Sequence, residues 1–197
     1  MKLVNVLRAA TIAIVSATAA AALAQPDKPA PAPPPPPLGP ELWRGARIGM
    51  AQTDIAARFP AATASKGELL PSGARSALTL PTKIAGAPAN AQFYFDADGL
   101  ASIIINRPDV VAGKTAANLV KARGVVEAVA AEEGKPGNCI EQPRITALTC
   151  TWSQGEAKAV VSYRDVGGAA PTLNVSYRRL SDKKPWQPGP VRKLKPR

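Results

Sequence analysis

Residues 26–40 contain nine prolines in fifteen positions, five of them consecutive at 33–37. Proline has no backbone N–H group and a fixed φ angle, so such a run cannot join a helix interior or a central strand. It extends instead as a polyproline II spacer of about 3 Å per residue. The run predicts a proline-rich linker over residues 25–40, and the folded domain must lie beyond it.

The first 24 residues have the pattern of a secretory signal. Lys2 and Arg8 form a positively charged region that precedes an apolar stretch over residues 9–23, which ends in a small-x-small sequence at Ala24. This order predicts a signal peptide cleaved after Ala24. An uncleaved membrane anchor needs about 20 apolar residues, and this stretch is Ala-rich and slightly short. We expect an exported, periplasmic or secreted protein with no transmembrane segment in the mature chain.

The mature chain keeps 23 basic and 14 acidic side chains, a net charge of +9, once the two cations of the signal are removed. Positive charge attracts anionic surfaces and does not specify a fold. Outside the inner membrane these surfaces are lipopolysaccharide, anionic lipid and cell-wall polymers. Nucleic acid is not an expected partner, because the sequence lacks the interleaved aromatic and basic residues on which bases stack.

Cys139 and Cys150 are the only cysteines. In an oxidising compartment an even pair close in sequence predicts a disulfide, which for so short a loop contributes about 3 kcal/mol. A redox pair more often has Cys-x-x-Cys spacing. A zinc site needs three or four ligands, and this chain has no histidine. We therefore predict a structural disulfide, no metal and no cofactor.

Residues 41–180 are predicted to form one domain with two similar parts, 41–109 and 110–180. In the first part, Ile55 and Phe59 are four residues apart and indicate a short helix. In the second part, apolar residues at helical spacing indicate a longer helix. Strand-like alternation follows each helix. The predicted helices are 53–59 and 115–133, and the predicted strands are 77–80, 91–95, 100–106, 145–152, 157–164 and 172–178.

A helix followed by an antiparallel meander, twice, predicts an α+β fold with the helices packed on one face of the sheet or sheets. Short segments of the first part also resemble a recurring module of the bacterial cell envelope. These segments are Ile48-Gly49-Met50, Asp54-Ile55, Phe59-Pro60, Phe93-Tyr94-Phe95-Asp96, Gly99-Leu100 and Ile103.

The module is similar to the small lipoprotein of the outer-membrane β-barrel assembly machine and to the repeats of the β-lactamase-inhibitor protein fold. The similarity covers residues 45–107 and, more faintly, 115–180. It implies a short helical segment before a small antiparallel sheet, and an envelope location. The chain departs from it in two ways: no lipidated cysteine follows the signal, and Ala51 stands where the module often has a helix-capping threonine.

No catalytic residue is predicted. The absence of histidine excludes Ser-His and Cys-His nucleophile activation and histidine metal sites. The segment Asp96-Ala97-Asp98-Gly99 begins like a calcium loop, but Arg107 stands where the twelfth-position glutamate is needed. It is better interpreted as a hairpin turn. Carboxylates near the end of the second helix, such as Glu133, have no predicted partner.

Residues 181–197 are predicted to be a disordered basic tail. Its cations and single tryptophan are candidates for binding anionic lipid, lipopolysaccharide or cell wall, each charge contributing about 1 kcal/mol. A solvated tail that only aids solubility is an equal alternative. The candidate residues are Lys183, Lys184, Trp186, Arg192, Lys193, Lys195 and Arg197.

These observations predict a non-catalytic protein-binding or envelope-assembly module whose partner is another envelope protein, with Arg164 and Arg178 on the exposed sheet face. Two alternatives stay open. One is a hydrolase that cuts an envelope polymer with two carboxylates, as glycosidases do. The other is an inhibitor of an exported enzyme, which rests on fold analogy. A deep groove with two facing carboxylates favours the hydrolase, and a shallow apolar face favours the binding module.

Overall fold

The computed structural model describes residues 37–142, 146–167 and 169–179. The predicted signal over 1–24, most of the linker and the tail over 181–197 lie outside these residues. Strands make up 47% of the described part and helices 19%. The strands are β1 (Glu41–Trp43), β2 (Ala46–Arg47), β3 (Thr63–Ala64), β4 (Arg75–Ile84), β5 (Ala87–Asp96), β6 (Gly99–Asn106), β7 (Asn138–Gln142), β8 (Ala147–Gln154), β9 (Ala157–Arg164) and β10 (Thr172–Arg179). The helices are α1 (Gln52–Arg58) and α2 (Thr115–Glu133).

Eight of these strands form one antiparallel sheet in the order β3-β4-β5-β6-β10-β9-β8-β7. At its centre β6 pairs with β10, in a register that runs from Asn174 opposite Asn106 to Arg178 opposite Ser102. The remaining two strands, β1 and β2, form a separate two-stranded hairpin. The central pairing therefore joins strands that lie far apart in sequence.

The predicted fold class is wrong. The described part is mostly antiparallel β, with one eight-stranded sheet and two helices, and it is not a pair of helix-then-meander repeats. Two physical features explain the error. The pairing of β6 with β10 merges both predicted parts into one sheet and one core. Strand content was also underestimated: β4 has ten residues where 77–80 was predicted, and Pro81, which interrupts the apolar alternation, lies within it.

One face of the sheet, here called the inner face, forms the core. Because successive side chains of a strand point to opposite faces, every second residue of the central strands is turned inward. Examples from four strands are Phe93, Ile103, Val161 and Val175, all fully buried. The two helices and the β1–β2 hairpin cover this face. Removal of this apolar surface from water, worth about 25 cal/mol per Å², is the main stabilising contribution.

The helices contribute little apolar surface of their own. In α2 one narrow stripe is buried, namely Asn118, Ala122, Val125 and Val129. In α1 only Ile55 is buried, and the chain leaves the helix at Phe59. The Phe59 ring packs against Trp43 of β1 and Phe93 of β5, with ring centroids 5.9 and 5.3 Å apart. These contacts fasten α1 and the hairpin to the inner face.

Two sequence segments, Ile48-Gly49-Met50 and Gly99-Leu100, lie against each other in the fold. The Gly49 N–H donates to the Leu100 carbonyl oxygen at 3.0 Å, and the Leu100 N–H donates to the Met50 carbonyl oxygen at 2.9 Å. Gly99, at the turn between β5 and β6, has φ +108° and lies directly beside Gly49. This backbone contact ties the β5–β6 turn to the chain that enters α1.

A buried guanidinium anchors the end of β6. The Arg107 side chain donates from Nε and Nη2 to the two carboxylate oxygens of Asp109, at 2.8 and 2.7 Å, and from Nη1 to the Ile84 carbonyl oxygen at 3.0 Å. Lys121 of α2 also contacts Asp109. The Arg107 side chain is only 4% exposed. The cluster therefore joins β6, the β4–β5 turn and α2.

The predicted disulfide is confirmed: Cys139 of β7 is bonded to Cys150 of β8. The two residues are direct partners in the antiparallel register. All five residues of β7 are exposed, whereas Cys150 is buried. The covalent bond thus holds an edge strand that has almost no hydrophobic packing of its own.

Candidate functional site

The second face of the sheet, here called the open face, carries mainly hydroxyl, amide and cationic side chains. The registers align them in three rows across β5, β6, β10, β9 and β8. In that order the rows are Asn90, Asn106, Asn174, Ser162 and Thr149; Gln92, Ile104, Ser176, Val160 and Thr151; and Tyr94, Ser102, Arg178, Lys158 and Ser153.

The loop between β3 and β4 covers the β5 end of the open face. Its Glu68 carboxylate accepts a hydrogen bond from Gln92 Nε2 at 3.1 Å and lies 3.4 Å from the Tyr94 hydroxyl. The Gln92 side-chain oxygen lies 3.0 Å from that hydroxyl and accepts a second bond from Asn106 at 3.1 Å. Burial, followed by the negative charge of Glu68 and its hydrogen bond, raises the pKa of Tyr94 to about 12. Tyr94 is therefore neutral at physiological pH.

A groove of about 560 Å³ runs along the seam of β6 and β10, beside this loop. Its floor includes Ser102 and Ile104 of β6 and Asn174 and Ser176 of β10, and residues 70–72 of the loop form one wall. We call it the open-face groove. Arg178, Arg179 and Asp96 lie at its end. Apart from Ile104, the side chains of the sheet floor carry hydrogen-bonding groups, and the Ser102 hydroxyl among them donates to the Tyr177 carbonyl oxygen at 3.0 Å.

The open face is cationic on the side of β8, β9 and β10. Their registers put Lys158, Arg164 and Arg178 on this face and no carboxylate beside them. Lys158 and Arg178 are direct cross-strand partners. Arg179, which follows, has only a long contact of 3.8 Å with Glu156 of the β8–β9 turn.

A second and much smaller pocket brings two carboxylates together on the covered side of the sheet. Glu41 of β1 and Glu133 of α2 line it with Tyr177 of β10. Burial, with smaller contributions from Glu132 and Glu41, raises the pKa of the Glu133 carboxyl. Burial and the neighbouring Glu132 and Glu133 raise the pKa of Tyr177. The pocket volume is about 30 Å³, room for roughly one or two water molecules and far less than a sugar ring needs.

The structure brings together some of the residues singled out in the sequence. Arg164 and Arg178, expected on the exposed sheet face, are both exposed and share the open face. The segment from Asp96 to Gly99 is a hairpin turn in which the Asp98 N–H donates to Asp96 Oδ1 at 2.9 Å. The tail candidates Lys183, Lys184, Trp186, Arg192, Lys193, Lys195 and Arg197 lie outside the described residues.

Three functional features were missed in the sequence. They are the open-face groove, the adjacency of Lys158 and Arg178, and the approach of Glu41 to Glu133. Each depends on which strands and helices are neighbours in the fold. The sequence offers one indication of them: the alternation within β9 and β10 puts Lys158 and Arg178 on the polar side of their strands.

Within residues 37–142, 146–167 and 169–179, no three His, Cys, Asp or Glu side chains are grouped as a metal site would require. Over the same ranges, neither helix has the length and apolarity that a bilayer crossing demands. Comparison with protein-family models, with curated protein sequences and with solved structures gives no match to this chain.

Proposed function

We propose that this chain is an exported, non-catalytic protein-binding module of the cell envelope, and that the open-face groove is its docking surface. The observation that carries the proposal is the contrast between the two faces of the sheet. Helices and the hairpin cover the inner face, whereas in the described part the open face over β6, β10 and β9 exposes rows of polar side chains beside a groove of about 560 Å³.

The chemistry of this face supports binding in preference to catalysis. The groove floor offers hydroxyl and amide groups such as those of Ser176 and Asn174, which suit hydrogen bonds to another polypeptide. Glu41 and Glu133 share a pocket of only about 30 Å³. Asp96 and Asp98 both line a larger pocket of about 260 Å³, but they lie two residues apart on one hairpin turn and not on facing walls. A carboxylate-dependent hydrolase needs a cleft that admits its polymer between the two acids.

The location is part of the proposal. Export by a signal cleaved after Ala24 puts the domain in the periplasm or the medium, where the Cys139–Cys150 bond is stable against cytosolic reductants. The resemblance of residues 45–107 to an envelope module supports the same compartment. The partner bound by the open face can itself be an exported enzyme, in which case the chain acts as its inhibitor. A separate proposal is that the basic tail contacts anionic lipid, lipopolysaccharide or cell wall.

Site-directed photo-cross-linking tests the docking surface. A benzophenone amino acid in place of Ser176 lies in the groove, and the same amino acid in place of Val120, which is 68% exposed on α2, is the matched control. In cells that export the protein, we expect a discrete adduct from the Ser176 position and none from Val120. Equal adducts from both positions, or an adduct from Val120 alone, contradict the proposal.

Mass spectrometry and thiol labelling of the same material test the compartment. The expected mature chain begins at Gln25, and neither cysteine reacts with a maleimide until a reductant is added. A cytosolic full-length chain with two reactive thiols contradicts export.

A further inference from the structure

The cations of the open face point to the chemistry of the partner. We propose that the open face of β9 and β10, next to the open-face groove, binds an extended acidic segment of the partner protein, with carboxylates held by Lys158 and Arg178 at one end and by Arg164 at the other. This inference rests on the proposed function, since it names the partner of the same surface.

Two like charges lie directly opposite each other on the open face. Lys158 and Arg178 face each other across β9 and β10, and like charges directly opposite in an antiparallel pair destabilise a sheet. Among the described residues, neither cation has a carboxylate within 4 Å, and the ion pairs that do form involve other cations. A carboxylate bound between the two side chains removes the repulsion and gains charge-assisted hydrogen bonds.

The open-face rows of these strands carry no acidic side chain. From β6 to β8, the three open-face rows contain two cations, Lys158 and Arg178, and no Asp or Glu, and Arg164 lies on the same face opposite Thr172. Positive charge on the open face of these strands thus lies at its two ends, and Lys158 also lines the small pocket that holds Glu41 and Glu133. Asp96 lies only at the end of the groove, and Glu68 belongs to the loop that covers β5.

The two cationic positions on β9 are separated by a distance that an extended peptide can span. Lys158 and Arg164 are six residues apart on β9, which corresponds to about 20 Å because a strand rises about 3.3 Å per residue. An extended segment that lies along β9 and β10 therefore meets both cationic positions with carboxylates six residues apart. Between them, Ser176, Asn174 and Ser162 offer hydrogen bonds to its backbone.

The shape of the site favours a polypeptide over the other polyanions of the envelope. The open-face groove shares Asn174, Ser176 and Arg178 of β10 with this path and, between the sheet and a loop wall, admits a single chain, whereas the surface of a bilayer is too flat to reach its floor. Among the residues that line the groove, none is aromatic, so stacking of nucleic-acid bases has no platform there.

Fluorescence anisotropy with a labelled peptide tests the inference on the full mature chain. The probe is a peptide of about eight residues, long enough for that distance, with two glutamates at the six-residue spacing of β9 and Ser, Thr or Asn elsewhere. One control peptide has Gln for both Glu residues, and a second has the two Glu residues adjacent. We expect binding of the probe and weaker binding of both controls.

Charge-removing variants locate the binding. The double variant Lys158→Gln/Arg178→Gln is expected to raise the Kd at least about tenfold, the loss typical of removing close charge contacts. The matched control Lys114→Gln/Lys135→Gln removes two exposed cations beside α2 and the same net charge. Its Kd is expected to change less than about twofold, since distant charges are screened.

The same double variant reports on folding. Because Lys158→Gln/Arg178→Gln relieves like-charge repulsion, its melting temperature in the absence of peptide is expected to equal or exceed that of the parent chain. Equal losses of affinity in both double variants overturn the inference, as does stronger binding to phosphatidylglycerol vesicles than to the probe peptide.

The cross-linking and peptide-binding experiments distinguish failure of the acidic partner from failure of the docking surface. If the Ser176 cross-link persists in the Lys158→Gln/Arg178→Gln background, the acidic partner is wrong while the docking surface stands. If the probe peptide binds as expected but Ser176 gives no adduct in cells, the anion-binding surface stands and the proposed docking function fails.

Discussion

A β-carbon added to Gly99 would lie 2.5 Å from the carbonyl oxygen of Gly49. The two glycines are fifty residues apart in sequence, and hydrogen bonds between Leu100 and the 49–50 backbone hold them together. No rotation of a side chain relieves this contact, because both atoms are fixed to the backbone. The close approach makes the β5–β6 turn a point where the fold tolerates only glycine.

The variant Gly99→Ala is expected to lower the free energy of unfolding by about 3 kcal/mol or more, from the clash and from the cost of a positive φ. Gly86→Ala is the matched control, since Gly86 has φ +73° but nothing within 4 Å of the added carbon. It is expected to cost about 1 kcal/mol. Denaturant titration measures both, and equal losses contradict the close approach.

Removal of the Asp109 carboxylate leaves the Arg107 guanidinium buried without its bidentate partner. We expect Asp109→Asn to lower the free energy of unfolding at neutral pH by about 2 kcal/mol. The exposed carboxylate Glu127 of α2 supplies the control, and Glu127→Gln is expected to change the free energy of unfolding by less than about 0.5 kcal/mol.

The Asp109 carboxylate also makes the stability of the protein depend on pH in the acid range. Hydrogen bonding to Arg107, together with Lys121 and despite partial burial, lowers the pKa of Asp109 to about 2. A depressed folded-state pKa contributes stability that is present above the unfolded-state value and is lost as the pH falls towards the folded value. The parent chain is therefore expected to lose stability between about pH 4 and 2 more steeply than Asp109→Asn. Parallel pH profiles of the two proteins would contradict the ion pair.

Reduction of the Cys139–Cys150 disulfide is expected to lower the free energy of unfolding. For a separation of 11 residues, loop-closure entropy predicts a loss of about 3 kcal/mol on reduction. Thermal unfolding with and without dithiothreitol measures it, and the variant Cys139→Ala/Cys150→Ala is the control that reductant does not affect. An unchanged melting temperature in the parent chain would show that β7 does not depend on the bond.

All three tyrosines have a raised pKa in the folded chain, with burial as the first cause. The phenolate absorbance of the native protein is thus expected to stay low near pH 10, where unfolded tyrosine ionises. Because the folded pKa of Tyr94 is about 12, its contribution to stability is complete below pH 10 and is lost as the pH rises towards that value. A native titration midpoint near pH 10 would contradict the burial of these rings.

Local patterns located several elements correctly. The helix predicted over 115–133 is α2, and the strand predicted over 157–164 is β9, with Ala159, Val161 and Tyr163 buried as their alternation indicated. Other elements escaped detection for a physical reason. Strand β7 buries no side chain and has no periodic signal, and it is held by a covalent bond and by pairing with β8.

The sequence by itself determined which side of each long strand is apolar and which two sulfur atoms pair, since both follow from residue type and short-range spacing. The tertiary structure alone decided that β6 lies beside β10, that one sheet replaces two repeats, and that Lys158 lies opposite Arg178, which lines the open-face groove. Alternation in a strand is the same whatever strand pairs with it. The choice of neighbour is made by backbone hydrogen bonds and core packing between distant segments, which no local pattern records.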